Sequence, residues 1–159
     1  MDILVNKVKD IAGKSECKKY MHGAILFNSK NKIISVGCNQ YGGTRILGNN
    51  VPTLHAEIHC LKHIFIKNKW SFKNIQKSKF KRRVKRKINI IVVRVTMSGE
   101  LASSMPCHMC LKMMQNIGIN KVYYSTDSGK IISQKINTFC GHHITKAFKQ
   151  YNPVKRKYN

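Results

Sequence analysis

Apolar residues at positions 3, 4, 5, 8, 11 and 12 recur at the spacing of one helix face. They predict an amphipathic helix over Ile3 to Ile11, stopped by Gly13. The period then shortens. Gly23-Ala24-Ile25-Leu26-Phe27 reads as a buried strand, Asn28 to Lys32 as a polar turn, and Ile33 to Cys38 as the hairpin partner. A loop carrying Gly42, Gly43, Gly48 and Pro52 follows. Helical spacing returns from Leu54 to Ile66, with Ile58, Leu61, Ile64 and Phe65 on one side. Ile88 to Val95 is almost continuously apolar, as expected of a strand covered on both faces. Pro106 opens a further helix with Leu111, Met114 and Ile117 facing inward and Gly118 ending it. Lys121 to Ser125 is another strand, and Lys130 to Ile136 a fifth. Strands alternating with helices predict an α/β fold, three layers α/β/α around a mixed sheet of about five strands. No internal repeat is visible.

Composition adds limits to this picture. A chain of 159 residues predicts one domain, 1–159, with room for a core that needs no disulfides. Met1 to Lys7 lacks the features of a secretory signal, and no apolar run approaches the ~20 residues of a membrane span. The expectation is a soluble, intracellular protein, cytoplasmic, nuclear or, if viral, in the virion, with no membrane partner. The six cysteines, 17, 38, 60, 107, 110 and 140, do not suit a small secreted scaffold, so they are expected to be reduced, two of them on a metal. The net charge of +24 reflects only six acids against 30 Lys and Arg. Such depletion of acids points to a polyanionic environment, against the plainer reading of a merely basic solvated surface.

The chemistry is concentrated in two short motifs, His55-Ala56-Glu57 and Pro106-Cys107-His108-Met109-Cys110. Cys107 and Cys110, three apart, share a face in the first turn of a helix, whose electropositive end favours thiolate. His55, at the start of the other helix, can bring an imidazole nitrogen to the same Zn2+. Three protein ligands leave a fourth position for water, whose pKa zinc lowers to around 7. Glu57, the only acid between Glu16 and Glu100, is placed to shuttle the proton. A closed structural site completed by His59, Cys60, His63 or His108 is the alternative. It leaves Glu57 without a purpose.

H-x-E followed by P-C-x-x-C is the signature of zinc-dependent nucleobase deaminases. Gly23 to Phe27, Ile33 to Asn39, the two zinc motifs and Gly118-Ile119-Asn120-Lys121-Val122-Tyr123-Tyr124 occur in the order found in the cytidine and deoxycytidylate deaminase superfamily. The chain resembles that family from about residue 20 to 126. The resemblance implies a five-stranded sheet, zinc on His55, Cys107 and Cys110, and hydrolytic deamination of a cytosine-type nucleoside or (deoxy)nucleotide. It further implies that Asn39 bonds the substrate sugar or base, with the Ala56 backbone and the Ser104 region holding the ring. The connection Met97 to Met105 is longer than is common in the family, and Met105 replaces the usual residue before the proline.

Between Lys67 and Lys87 stand eleven Lys or Arg and no acid, interleaved with Trp70, Phe72, Ile75, Phe80 and Val84. Lys81, Arg82, Arg83, Lys85, Arg86 and Lys87 could neutralise phosphates while aromatics stack on bases. A solvated helix face and a nuclear-import signal are the plainer readings. This basic insert and the tail Lys155-Arg156-Lys157 keep two alternatives open. One is an editing deaminase on RNA or single-stranded DNA; the other is a non-catalytic nucleic-acid-binding or packaging protein with the same fold. Cys140, His142 and His143, with Cys17 or His22, form a candidate second zinc site that is left unassigned, and a homo-oligomer is compatible with everything above.

Overall fold

The computed structural model describes residues 1–46, 49–67 and 88–139. Helix α1 (Asp2–Gly13) leads through a short 3-10 turn at Lys18–Tyr20 into strands β1 (Met21–Asn28) and β2 (Ile33–Cys38). A hairpin of β3 (Gln40–Ile46) and β4 (Asn49–Leu54) precedes helix α2 (Ala56–Lys67). Then come β5 (Ile88–Val95), β6 (Leu101–Ala102), helix α3 (His108–Ile117), β7 (Lys121–Ser125) and β8 (Ile131–Lys135). The main sheet runs β2-β1-β5-β7-β8, with β6 folded back on the end of β5. Among the described residues β5 and β7 are the one pair that runs in parallel, as the crossover through α3 requires.

Strand alternation sorts the core into two layers. Ala24, Leu26, Ile90, Val92, Val122 and Tyr124 face α2 and α3, while Ile25, Phe27, Ile91, Val93 and Val95 face α1. Ile90 to Val93 are all fully buried, which by area alone contributes roughly 6–12 kcal/mol. An aspartate at any of the four would bury an unpaired charge. The predicted three-layer α/β/α arrangement with a mixed sheet is therefore present, and its five expected strands are all found.

Two features depart from the sequence expectation. The glycine-rich loop before the histidine pairs with itself as β3–β4, apart from the main sheet, with an irregular register between Tyr41 and Thr44. Gly42 lies in that irregular stretch with φ +108, a conformation that L side chains resist. The long connection after β5 is also ordered. Thr96 to Glu100 closes a tight turn in which the Thr96 N–H donates to Glu100 O at 2.9 Å and the Glu100 N–H to Thr96 Oγ1 at 3.1 Å. The same five-residue turn recurs after β7 at Thr126 to Lys130, with matching bonds of 2.9 and 3.2 Å. Thr-x-Ser-Gly-x is thus a small repeat that periodicity did not reveal.

Two glycines set how closely the helices approach the sheet. A Cβ on Gly23 would meet the Val8 carbonyl and the Ala12 nitrogen of α1. One on Gly37 would meet the Cys60 nitrogen and lie 2.8 Å from the Ala56 carbonyl of α2. No helix among the described residues is long and apolar enough to cross a membrane. The basic residues Lys81, Arg82, Arg83, Lys85, Arg86 and Lys87, and the Cys140, His142 and His143 cluster, lie outside the described residues.

Candidate metal centre

Two helix beginnings meet at one point. His55 directly precedes α2, and its carbonyl accepts the His59 N–H at 2.9 Å, the first helical bond. Cys107 is the N-cap of α3, in extended conformation at φ −72 and ψ 162, and its carbonyl accepts the Leu111 N–H at 2.9 Å. Cys110 is then three residues in, on the same side of the first turn as Cys107. Pro106 falls one position before the cap rather than inside the first turn. A buried residue with fixed φ still sets the angle at which the chain turns into the helix. Gly118 ends α3 with φ 87, its N–H bonded to the carbonyls of Met114 and Gln115.

His55 Nδ1 lies 3.6 Å from Cys107 Sγ and 3.4 Å from Cys110 Sγ. Tetrahedral zinc with ordinary Zn–S and Zn–N lengths separates such donors by about 3.6 Å. Among the described residues this is the group of three or more His, Cys, Asp or Glu donors that could hold a metal ion, all within 4.8 Å of one another. His59, Cys60, His63 and His108 do not join it. Cys60 is instead buried with its thiol pushed up to about 12, chiefly by desolvation.

The charge distribution suits a cation. A hydrogen bond from Cys110 holds the Cys107 thiol down to about 4 against burial, helped by His55. Cys110 moves the opposite way, raised by sharing that proton with Cys107 and by burial. Burial pulls His55 down, but the Cys107 hydrogen bond and charge, with Glu57, carry it up to about 9. A bound dication would take all three side chains in their deprotonated forms.

Glu57 is 5% exposed in the first turn of α2 and stands outside the three-donor group. Burial raises its carboxyl, the Cys107 charge adds to that, and His55 opposes it. It is a buried carboxylate beside the donors and not one of them. Ala56 is fully buried.

Asn39 and Ser104 are both buried and heavily bonded. Asn39 Oδ1 accepts from Ser15 Oγ at 2.6 Å and the His22 N–H at 2.8 Å, while Nδ2 donates to Tyr20 O at 2.7 Å. One amide proton remains for another partner. Ser104 Oγ donates to Val92 O at 2.8 Å and accepts the Ser125 N–H at 2.9 Å. Its side chain ties the segment before Cys107 to β5 and β7. Asp127 joins this bracing by accepting the Ser103 N–H at 2.9 Å.

Sequence reasoning offered His22 only as a possible ligand of a second zinc site and missed Arg94. They are cross-strand partners on β1 and β5, and both continue the face that carries Ala24 and Val92 toward the ligands. His22 senses the charges of His55, Arg94 and Cys107, and burial foremost brings it down to about 4. Its Nδ1 lies 3.0 Å from Tyr20 O, an acceptor, so the neutral ring carries its proton there. Even-number alternation along β1 and β5 was the available signal.

The sequence profile of the cytidine and deoxycytidylate deaminase zinc-binding region matches residues 2–126. Among solved structures, the cytidine deaminase of Burkholderia pseudomallei superposes with a TM-score of 0.57 at 18% identity, covering 86% of this chain and 92% of that one. The Mycobacterium leprae cytidine deaminase gives 0.51 at 16% identity, over 85% and 92% of the two chains. The dCMP deaminase of cyanophage S-TIM5 gives 0.50 at 23% identity, over 79% and 81%. These likenesses establish the fold. No curated protein sequence matches.

Proposed function

Since the chain belongs to the cytidine and deoxycytidylate deaminase zinc-binding family, we propose that it hydrolyses the exocyclic amine of a cytosine-type nucleoside or (deoxy)nucleotide. The observation that carries this is Glu57, a buried carboxylate beside His55, Cys107 and Cys110 and outside their triangle. A structural metal knot has no use for it.

In this reading His55, Cys107 and Cys110 hold the zinc, and zinc there supplies Lewis-acid activation of a water molecule. Glu57 takes the proton of the attacking water and passes it to the ring nitrogen next to the amine-bearing carbon. It then takes the remaining proton of the added hydroxyl and hands it to the amine, so that the C–N bond breaks with ammonia leaving and the carbonyl forming. Burial helps here, because a carboxyl raised above its ordinary range holds the proton long enough to return it. The Ala56 backbone, Asn39 with its remaining amide proton and the backbone around Ser104 are proposed to frame the ring. Asn39 is anchored by three bonds, so it presents that proton from a fixed position.

The test is ammonia release from cytidine, CMP, dCMP, single-stranded DNA and tRNA, with Glu57→Gln alongside. Turnover of one cytosine substrate that disappears in Glu57→Gln supports the reading. Absence of release from all five, with zinc bound, would leave the non-catalytic alternative. The net charge of +24 supports a second reading, contact with nucleic acid through Lys81, Arg82, Arg83, Lys85, Arg86 and Lys87. The polymer arms of the same panel test whether such contact delivers a substrate.

A further inference from the structure

Resting on the deaminase reading and deepening it, we propose that Arg94 anchors a phosphate monoester on the substrate, so that the enzyme acts on a cytosine nucleotide in preference to the free nucleoside. Arg94 lies near the end of β5 opposite His22, on the sheet face that carries Ala24 and Val92 and packs against Cys107 and Cys110. Its backbone N–H donates to Ser125 Oγ at 3.2 Å, which ties its position to the bracing around Ser104. The guanidinium carbon sits 5.0 Å from the centre of the Tyr20 ring. Stacking of that kind holds a guanidinium by its face and leaves its N–H edges for a ligand.

What singles out this arginine is an unmet need. Its Nε is the buried side-chain nitrogen or oxygen without a hydrogen-bond partner among the described residues. The chain's six acids all lie within those residues, and none supplies the missing contact. A buried N–H on a permanent cation is costly to leave unsatisfied. The partner is then an acceptor from outside the described residues, and a planar fork of N–H donors matches the oxyanions of phosphate. A nucleoside has no such anion. A nucleotide carries one, on the sugar that the ring at the metal centre would draw toward this end of the sheet.

The experiment uses zinc-loaded Glu57→Gln protein, which is expected to bind without turnover, titrated calorimetrically with cytidine, CMP, deoxycytidine and dCMP at ~0.15 M salt. The monophosphates should bind about ten-fold or more tightly than their nucleosides, the range of one charged hydrogen bond. Adding Arg94→Gln should erase that ratio while nucleoside affinity, zinc content and melting temperature hold. Arg94→Lys, which keeps the charge and loses the fork, should restore part of the preference. Equal binding of monophosphate and nucleoside, or a ratio unmoved by Arg94→Gln, overturns the subsite and leaves the deaminase reading standing. An equal loss for both ligand classes would assign Arg94 to the base or sugar and also overturns it. If no cytosine compound binds and none is deaminated by the unmutated enzyme, both readings fall together.

Discussion

Gly37→Ala is the sharpest probe of how the sheet positions the chemistry. The added Cβ would lie 2.8 Å from the Ala56 carbonyl and closer still to the Cys60 nitrogen, both backbone atoms of α2. Restoring the ordinary 3.4 Å contact to Ala56 alone moves the helix by about 0.6 Å, and the Cys60 contact asks for more. Overpacking of this kind costs about 1–3 kcal/mol. For a chain of this length that lowers the melting temperature by about 2–12 °C. The first turn of α2 carries Glu57, and His55 directly precedes it, so a rigid shift also displaces the carboxyl that the proposed mechanism uses as its proton carrier. A misplacement near 1 Å can reduce turnover by about 10²-fold. Calorimetric melting and turnover per bound zinc measure the two effects separately. A variant with unchanged melting and unchanged turnover would refute the close approach of β2 and α2. Lower melting with full turnover per zinc would show that helix position and chemistry are uncoupled.

Other outcomes follow from the same geometry. Glu57→Gln should keep its zinc and its fold and lose about 10²–10⁴ of its rate, the span of general acid–base contributions; native-rate deamination would remove Glu57 from the reaction. Cys107→Ala and Cys110→Ala should each lose most of their zinc by metal analysis, and full retention in both would break the ligand assignment. Asn39→Ala removes the partner of Ser15, His22 and Tyr20, so stability should fall by about 1–3 kcal/mol with zinc content unchanged. A denaturant midpoint equal to that of the native protein would contradict this. His22 is held neutral at about 4 against an ordinary 6.5, so the unfolded chain binds its proton first. The resulting penalty on folding grows as pH falls below 6.5 and is complete below about 4; His22→Gln should flatten that limb of the stability curve, and an unaltered limb would show that His22 does not set it. Neutralising Lys81, Arg82, Arg83, Lys85, Arg86 and Lys87 together should weaken nucleic-acid binding and reduce its salt slope by nearly one for each phosphate that the segment had neutralised. An unchanged slope would place the contact elsewhere.

The layers of the fold were legible because burial imposes periodicity. Ile90 to Val93 are covered on both faces and read as an unbroken apolar run, whereas α1 meets the sheet on one face and shows a stripe. The metal triad was legible for a different reason: Cys107, Cys110 and His55 are restricted by helix geometry to two short spacings. The β3–β4 hairpin was not, since Gly42 and Gly43 suggest a turn or loop while pairing depends on backbone groups that sequence does not display. Asn39 could be named only from the family resemblance; its anchoring bonds to Ser15, His22 and Tyr20 come from distant positions and leave no mark in the sequence. Arg94 escaped notice as one basic residue among many. Only burial distinguishes it from the solvated lysines.

The turn at Thr96 to Glu100 has a practical consequence. Its bonds close within five residues, and Met97 at its tip is 86% exposed. The companion turn at Thr126 to Lys130 is different in one respect, since Asp127 reaches out to hold the Ser103 N–H. A peptide tag or fluorophore inserted between Met97 and Ser98 should therefore sit on a self-contained bracket and report on ligands without displacing Cys107. The same cargo placed at Asp127 would release the strap that leads to the metal. Two near-identical pieces of chain thus differ in what they can be made to carry, the first a handle for labelling and the second a fixed strut.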